Sequence, residues 1–329
     1  MGSLAPALPC RPMEPRVSNL PERTRTYENH HLDSPRWDEY ETRPGDIIVT
    51  TAYKSGTTWT QTIVANLIFQ DGEIPGAIMD ISPWVDMAAR PFDDIVERTG
   101  AQTHRRFLKT HLPLDGLPYK RDVRYVYCGR DLRDVFMSLW NHYRHHTPAA
   151  YTRINDRPGR VGDPFPPCPD DIHTLWRDWI TRGWFDWESE GYPFWSASHH
   201  ARTWFDYRHL PNILFVHFAD LLAEPSVEIQ RIADFLGVEV TPTKLERIVE
   251  ATRFDAMKAK ADDVVGAAAP LWDEGGRRFL NKGTNGRWRG ILTDAELAQY
   301  RDLIDRSLSP ECASWLENGR GALFGAANP

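Results

Sequence analysis

The stretch Ile47-Ile48-Val49-Thr50-Thr51-Ala52-Tyr53-Lys54-Ser55-Gly56-Thr57-Thr58-Trp59 decides how this 329-residue chain is read. Ile47 to Thr50 is an apolar, β-branched run of strand length. From Thr57 a helix begins, with Trp59, Ile63 and Leu67 at four-residue spacing and Val64 and Ile68 beside them. The first turn of such a helix leaves backbone N–H groups unpaired and carries the positive end of the helix dipole. Ser55, Thr57 and Thr58 add hydroxyls, Lys54 adds a cation, and Gly56 lets an oxygen approach the backbone closely. The stretch therefore predicts an anion cradle between a strand and a helix. It is not a Walker A loop, because the lysine precedes the glycine. Taken alone, the same residues also fit a helix with a Thr cap after an ordinary strand.

Working outward, strand and helix patterns alternate. Strands are expected at Ile47–Thr50, Arg106–Thr110, Arg124–Cys128 and Ile213–His217. Helices are expected at Thr57–Phe69, Leu132–His142, Ala197–Tyr207, Pro225–Leu236, Lys244–Ala251 and Ala295–Ser307, with Gly237 as a C-terminal stop. This alternation predicts an α/β fold with a central parallel sheet flanked by helices. Residues 1–35 read as an irregular, Pro-rich N-terminal arm, and residues 36–329 as a single domain without repeats or an interior linker. Within it, 148–169 and 262–290 read as lid or flap loops, the first for its prolines and the second for its Ala/Gly-rich start at 262–276.

Composition limits the partners. The formal net charge is -7, so nucleic acid and anionic membranes are poor general partners, and anions must be held by local basic islands. Such islands occur at Arg105, Arg106 and Lys109, at Arg130 and Arg133, at Arg277, Arg278 and Lys282, and at Arg287 and Arg289. The four cysteines show no paired spacing, which fits a reducing compartment. Neither a signal-peptide core nor a membrane span is expected, so a cytoplasmic location is predicted. The 12 histidines lack convincing companion ligands, and no metal is expected.

Lys54-Ser55-Gly56-Thr57-Thr58-Trp59 after a hydrophobic strand resembles the 5′-phosphosulfate loop of the cytosolic sulfotransferases. That family usually has Pro where Tyr53 stands. Three further blocks follow in family order, so the resemblance covers roughly residues 40–300. Phe107-Leu108-Lys109-Thr110-His111-Leu112-Pro113 matches the block carrying the family's catalytic histidine. On its own residues, His111 sits at a strand end, where open α/β sheets place ligands, although a structural histidine would look the same. Val126 to Ser138 carries Arg130 and Ser138, which match the family's 3′-phosphate ligands. Read as an ordinary surface residue, Arg130 would pair with Asp134 four residues on. Phe279 to Arg289 resembles the C-terminal loop that closes over that phosphate, but Asn281 replaces Arg and Arg287 replaces Asp.

The resemblance implies a P-loop-kinase-like sulfotransferase fold. It also implies 3′-phosphoadenosine-5′-phosphosulfate (PAPS) as co-substrate and 3′-phosphoadenosine-5′-phosphate (PAP) as product. By carry-over, His111 is the general base, with Lys54 and Lys109 also catalytic. Lys54, Ser55, Gly56, Thr57, Thr58 and Trp59 hold the 5′ end; Arg130, Ser138, Asn281, Lys282 and Gly283 hold the 3′-phosphate; Thr252 and Phe254 flank the adenine opposite Trp59. Ser198 falls where the family has an adenine-contacting Tyr. Trp84 resembles an aromatic of the acceptor pocket, and core packing explains it as well. Ser138 is expected to restrain Lys54 until an acceptor arrives. The acceptor would be a hydroxyl or amine of a small molecule, including aromatic or lipid-like ones. The family's dimer motif is degraded, so both monomer and homodimer are open. The competing readings are a magnesium-dependent kinase and a PAP-binding protein without catalysis.

Overall fold

Four strands, β1 (Ile47–Thr50), β2 (Phe107–Thr110), β3 (Arg124–Gly129) and β4 (Ile213–His217), form one parallel sheet of order β2-β1-β3-β4 in the computed structural model. The structure describes residues 20–70 and 72–324. The first 19 residues of the expected arm lie outside the described residues. All of β1 and β2 is buried, as expected of a parallel sheet covered on both faces. Register brings Thr50 beside Thr110 on one side and beside Tyr127 on the other. Residues that follow these three strands, Lys54, His111 and Arg130, therefore leave the sheet at one edge. β2 and β3 lie on opposite sides of β1, so this edge is a topological switch point, where open sheets bind ligands.

Side chains alternate across the pleat, and this alternation builds two cores. Ile47, Val49, Phe107 and Val126 face one, with Ile63, Val64 and Leu67 of the Thr57–Ile68 helix and Ile229, Ile232 and Leu236 of the Pro225–Leu236 helix. Ile48, Leu108, Tyr125 and Tyr127 face the other, with Trp176, Trp179, Trp204 and Trp315. The tryptophan-rich stretch from 173 to 205 thus supplies much of a core. The remaining expected helices are Leu132–Arg144, Ala197–Phe205, Pro242–Ala251 and Asp294–Ser307. Gly237 ends its helix at φ 67, and Thr293 and Glu296 form a capping box at the start of the last of them.

Three segments differ from their sequence reading. Tyr27, His30, His31 and Leu32 are buried, so the latter part of the expected arm packs into the domain. Its rings meet partners far along the chain, which local polarity could not reveal. Pro148–Asn155 is a helix with Pro in its first turn, where the missing N–H costs nothing. The 262–276 stretch contains helical turns at Ala261–Val265 and Gly266–Leu271, anchored by buried Val264, Val265 and Trp272. Alanine favours helix, which outweighed its glycines. Helices at Phe92–Gly100, Ile172–Thr181, Phe254–Ala259 and Pro310–Asn318 were not anticipated.

Arg106 and Asp46 join the entrances of β2 and β1 through a nearly water-free ion pair, 2.5 Å at its shorter contact and 3.0 Å at Nε. Removing one partner of a buried pair strands the other charge. Arg106→Ala should lower unfolding free energy by about 3–5 kcal/mol, read from urea denaturation.

Candidate active site

The turn after β1 is built to present Lys54. This residue has φ 67, an uncommon left-handed conformation for a residue with a side chain. Gly56 follows at φ 111, and a Cβ there would lie 2.9 Å from the Phe218 ring. No side chain caps the Thr57–Ile68 helix. Beside its open N-terminus, the Ser55 hydroxyl and the Trp59 indole N–H are buried without a partner. Unpaired buried donors at an uncapped helix start fit an anionic ligand that accepts hydrogen bonds.

His111 is fixed from both ends. Its Nδ1 lies 2.9 Å from the Thr51 carbonyl, which can only accept, so Nδ1 carries the proton. Nε2 then keeps a lone pair. The His111 carbonyl accepts from the Trp195 indole at 3.0 Å, and the Trp84 ring stands edge-on at 4.6 Å. Burial, reinforced by Lys109, holds the imidazole well below its ordinary pKa. His111 is therefore neutral near pH 7 and able to receive a proton at Nε2.

Two lysines face the same space. Burial pushes Lys109 down to about 8, with Asp86 opposing the shift; its ammonium lies 5.0 Å from the Trp84 ring centre. Burial, aided by Lys109 and Arg130, pushes Lys54 down to about 7. The Lys54 ammonium lies 3.2 Å from Nδ1 of His142 and 4.3 Å from the centre of the Phe279 ring. Ser138 borders the same space but makes no hydrogen bond to Lys54 among the described residues.

Arg130 does not form a salt bridge with Asp134. Its guanidinium donates to Asn285 Oδ1 at 2.9 Å and to the Thr284 carbonyl at 2.8 Å, and lies 4.0 Å from the Phe218 ring centre. Burial lowers it to about 10. Asp134 instead accepts from the backbone N–H groups of Gly286 and Arg287, at 2.8 and 3.1 Å. These bonds pin the 279–289 loop against the helix that follows Arg130. Within that loop the Asn281 amide lies 3.2 Å from both terminal nitrogens of Arg287, which can only donate, so its oxygen is assigned to that side. Gly283, at φ 65, admits the Phe254 ring where a Cβ would come within 2.2 Å.

One cavity of about 450 Å³ joins these parts. Lys54, Gly56, Thr57, Thr58, Trp59, Lys109, His111, Arg130 and Ser138 line it, as do Thr252, Phe254, Asn281, Lys282 and Gly283. Ser55 is buried beside it rather than in its wall. Ser198 is not in the wall; its hydroxyl is 2.8 Å from the buried Glu190 carboxylate. Arg287 is in the wall, next to the Asn281 that replaces the usual Arg. The sequence reading missed Phe218, Phe279, Tyr53 and His142. His142 lies one helical turn beyond Ser138, a spacing that could have drawn attention to it. Among the described residues, no group of three His, Cys, Asp or Glu side chains could hold a metal ion.

Residues 44–311 match the family described as Sulfotransferase domain, and the chain belongs to that family. It is a sulfotransferase. A glycolipid sulfotransferase of Mycobacterium bovis is 30% identical over 309 residues, covering 89% of this chain and 94% of that protein. Human sulfotransferase 1C2 is 26% identical over 277 residues, covering 82% and 85%. In fold, the chain is similar to mouse sulfotransferase SULT7A1 complexed with PAP, with TM-score 0.64, 18% identity, and 83% and 88% of the two chains covered. Retinol dehydratase in a complex with retinol and PAP also has TM-score 0.64, at 23% identity and with 85% and 87% covered.

The Lys54 shift affects stability. In the unfolded chain this amine titrates near 10.5, and in the folded, ligand-free chain near 7. Between these values the unfolded chain binds the extra proton, so stability rises with pH across that window and the contribution is lost as pH falls through 7. The side chain keeps some contact with cavity water, which moderates the penalty. Lys54→Met should be more stable than the natural chain at pH 7 by about 1–2 kcal/mol, with the gap narrowing towards pH 10. Urea midpoints at several pH values measure this.

Proposed function

We propose that this sulfotransferase moves the sulfuryl group of PAPS to a hydroxyl or amine of a small acceptor, with His111 as general base. The observation that carries the reading is the charge of one cavity. Lys54, Lys109, Arg130, Arg253, Lys282 and Arg287 line it against a single carboxylate, Asp255. Such an excess of cations suits a donor with phosphates at two ends. The PAP complexes of proteins with the same fold agree with that choice.

Sulfuryl transfer, like phosphoryl transfer, depends on positioning and charge stabilisation more than on covalent chemistry by the protein. The acceptor's O–H or N–H gives its proton to Nε2 of His111 as the nucleophile attacks sulfur in line. The bond from sulfur to the bridging oxygen breaks, and PAP leaves. Lys54 neutralises the charge that develops on that oxygen. Lys109 and the open N–H groups of the Thr57–Ile68 helix stabilise the sulfuryl oxygens. Arg130, Ser138, Lys282 and Gly283 hold the 3′-phosphate, with Arg287 supplying the charge that Asn281 lacks. Thr252 and Phe254 flank the adenine opposite Trp59. No step requires a metal.

The 30% identical mycobacterial relatives are named glycolipid sulfotransferases, which favours a lipid-like alcohol or a sugar hydroxyl as acceptor. No helix among the described residues is long and apolar enough to cross a membrane.

PAP should raise the melting temperature strongly, and ATP with magnesium should raise it little; the opposite order would favour a kinase. His111→Ala should lower transfer of labelled sulfate by about 10²–10⁴-fold while PAP affinity, measured by calorimetry, stays within threefold. Near-normal transfer would remove His111 from the role of base. Because the ligand-free Lys54 titrates near 7, PAP binding at pH 8 should draw a proton from solution. Calorimetry in two buffers of different ionisation enthalpy reads that uptake, and Lys54→Met should reduce it.

A further inference from the structure

Tyr53, in the cavity wall, and His142 form a hydrogen-bonded pair beside the Lys54 ammonium, and the mechanism above gives neither a role. The Tyr53 hydroxyl lies 2.7 Å from Nε2 of His142, and Nδ1 of the same ring lies 3.2 Å from Nζ of Lys54. The chain is held rigidly. The Tyr53 ring stacks on Phe194 at 4.9 Å and meets the edge of His111 at 5.0 Å. The His142 ring is packed against Trp272 and Phe279, at 5.0 and 5.6 Å.

We propose that His142, oriented by Tyr53, is the positioning residue for Lys54, keeping its amine charged and aimed at the leaving oxygen of the donor. This rests on the reading that Lys54 meets the donor. An ammonium can only donate, so Nδ1 of His142 must accept from it. The proton then sits on Nε2 and is given to the Tyr53 oxygen. If Lys54 loses its proton, the chain reverses: the Tyr53 hydroxyl donates to Nε2, and Nδ1–H donates to the amine. A neutral imidazole can meet either state, but the bond from the ammonium is charge-assisted and the stronger of the two, so it favours the charged amine. Burial and the titratable groups that face His142 keep it neutral. Burial is the main cause; Lys54 from the β1 turn, His146 from the turn after the His142 helix, His31 from the N-terminal segment and Lys109 from β2 add to it, and all disfavour an imidazolium. A protonated His142 could not accept from Lys54 and would repel it. The expected restraint by Ser138 is replaced, in this chain, by a residue one turn further along the same helix.

The test uses the full-length chain and cleavage of labelled PAPS with water as acceptor, which does not depend on knowing the natural acceptor. Competitive acetylation read by mass spectrometry reports the Lys54 titration in the absence of donor. His142→Phe fits the aromatic surroundings and removes the acceptor. It should lower kcat about tenfold, change KM for PAPS less than threefold, and shift the Lys54 acetylation profile to lower pH. His142→Asn can offer an amide oxygen near the position of Nδ1 and should recover kcat to within threefold of the natural chain. A merely structural role would move neither the acetylation profile nor the rescue. His142→Phe with kcat within twofold and an unshifted profile overturns the proposal. Should His142→Phe fail to fold, Tyr53→Phe decides: a kcat loss of two- to fivefold with a shifted profile supports the proposal, and no change in either overturns it. Lys54→Ala is the control for the underlying reading. If it leaves both PAP affinity and PAPS cleavage intact, the donor assignment fails, whatever His142 does.

Discussion

Uncompensated positive charge at the C-terminal edge of a buried sheet is the condition on which the rest of this molecule depends. Lys54, Lys109 and Arg130 are each pushed below their ordinary pKa values, chiefly by burial. Removing cations from water without anions beside them is unfavourable, and proteins tolerate it mainly where a ligand completes the arrangement. Here the scaffold is strong enough to hold the strain. The central strand is covered on both faces, its neighbours are in register, and two separate cores fix the helices.

The same condition explains details that look unrelated. Lys54 takes a left-handed conformation because the turn must aim a cation into the cavity from a short connection. Phe218, Phe279 and Trp84 lie against Arg130, Lys54 and Lys109. An aromatic face is a partner that favours a cation yet leaves its charge available to an arriving anion. A carboxylate in the same position would compete with the ligand. Asp134, the one acid that could have paired with Arg130 along the helix, is engaged instead by backbone N–H groups of the 279–289 loop. Arg130 is thereby left with neutral oxygens of that loop as its partners and no carboxylate, and the loop is tied to the site.

The four strands and the principal helices were legible because their signals are local. A β-branched run, a 3.6-residue period or a glycine stop needs only near neighbours. The 20–35 segment and the 262–276 stretch were not legible in the same way. His30 and His31 are buried by Phe165, Trp184 and Phe194, far along the chain. Trp272, buried against His142 and Phe279, anchors a stretch whose composition suggests mobility.

By itself the sequence determined the sulfotransferase blocks and their order, because each needs a particular residue type at a particular step from a strand end. Lys54, His111 and Arg130 could be named on that basis. Only the tertiary structure decided that they share one cavity, since this follows from strand order and register. It also decided that Ser198 lies away from that cavity, that Arg287 stands beside Asn281, and that Lys54 rests on His142 rather than on Ser138. These are contacts between side chains brought together by long-range packing, and no local rule of spacing encodes them.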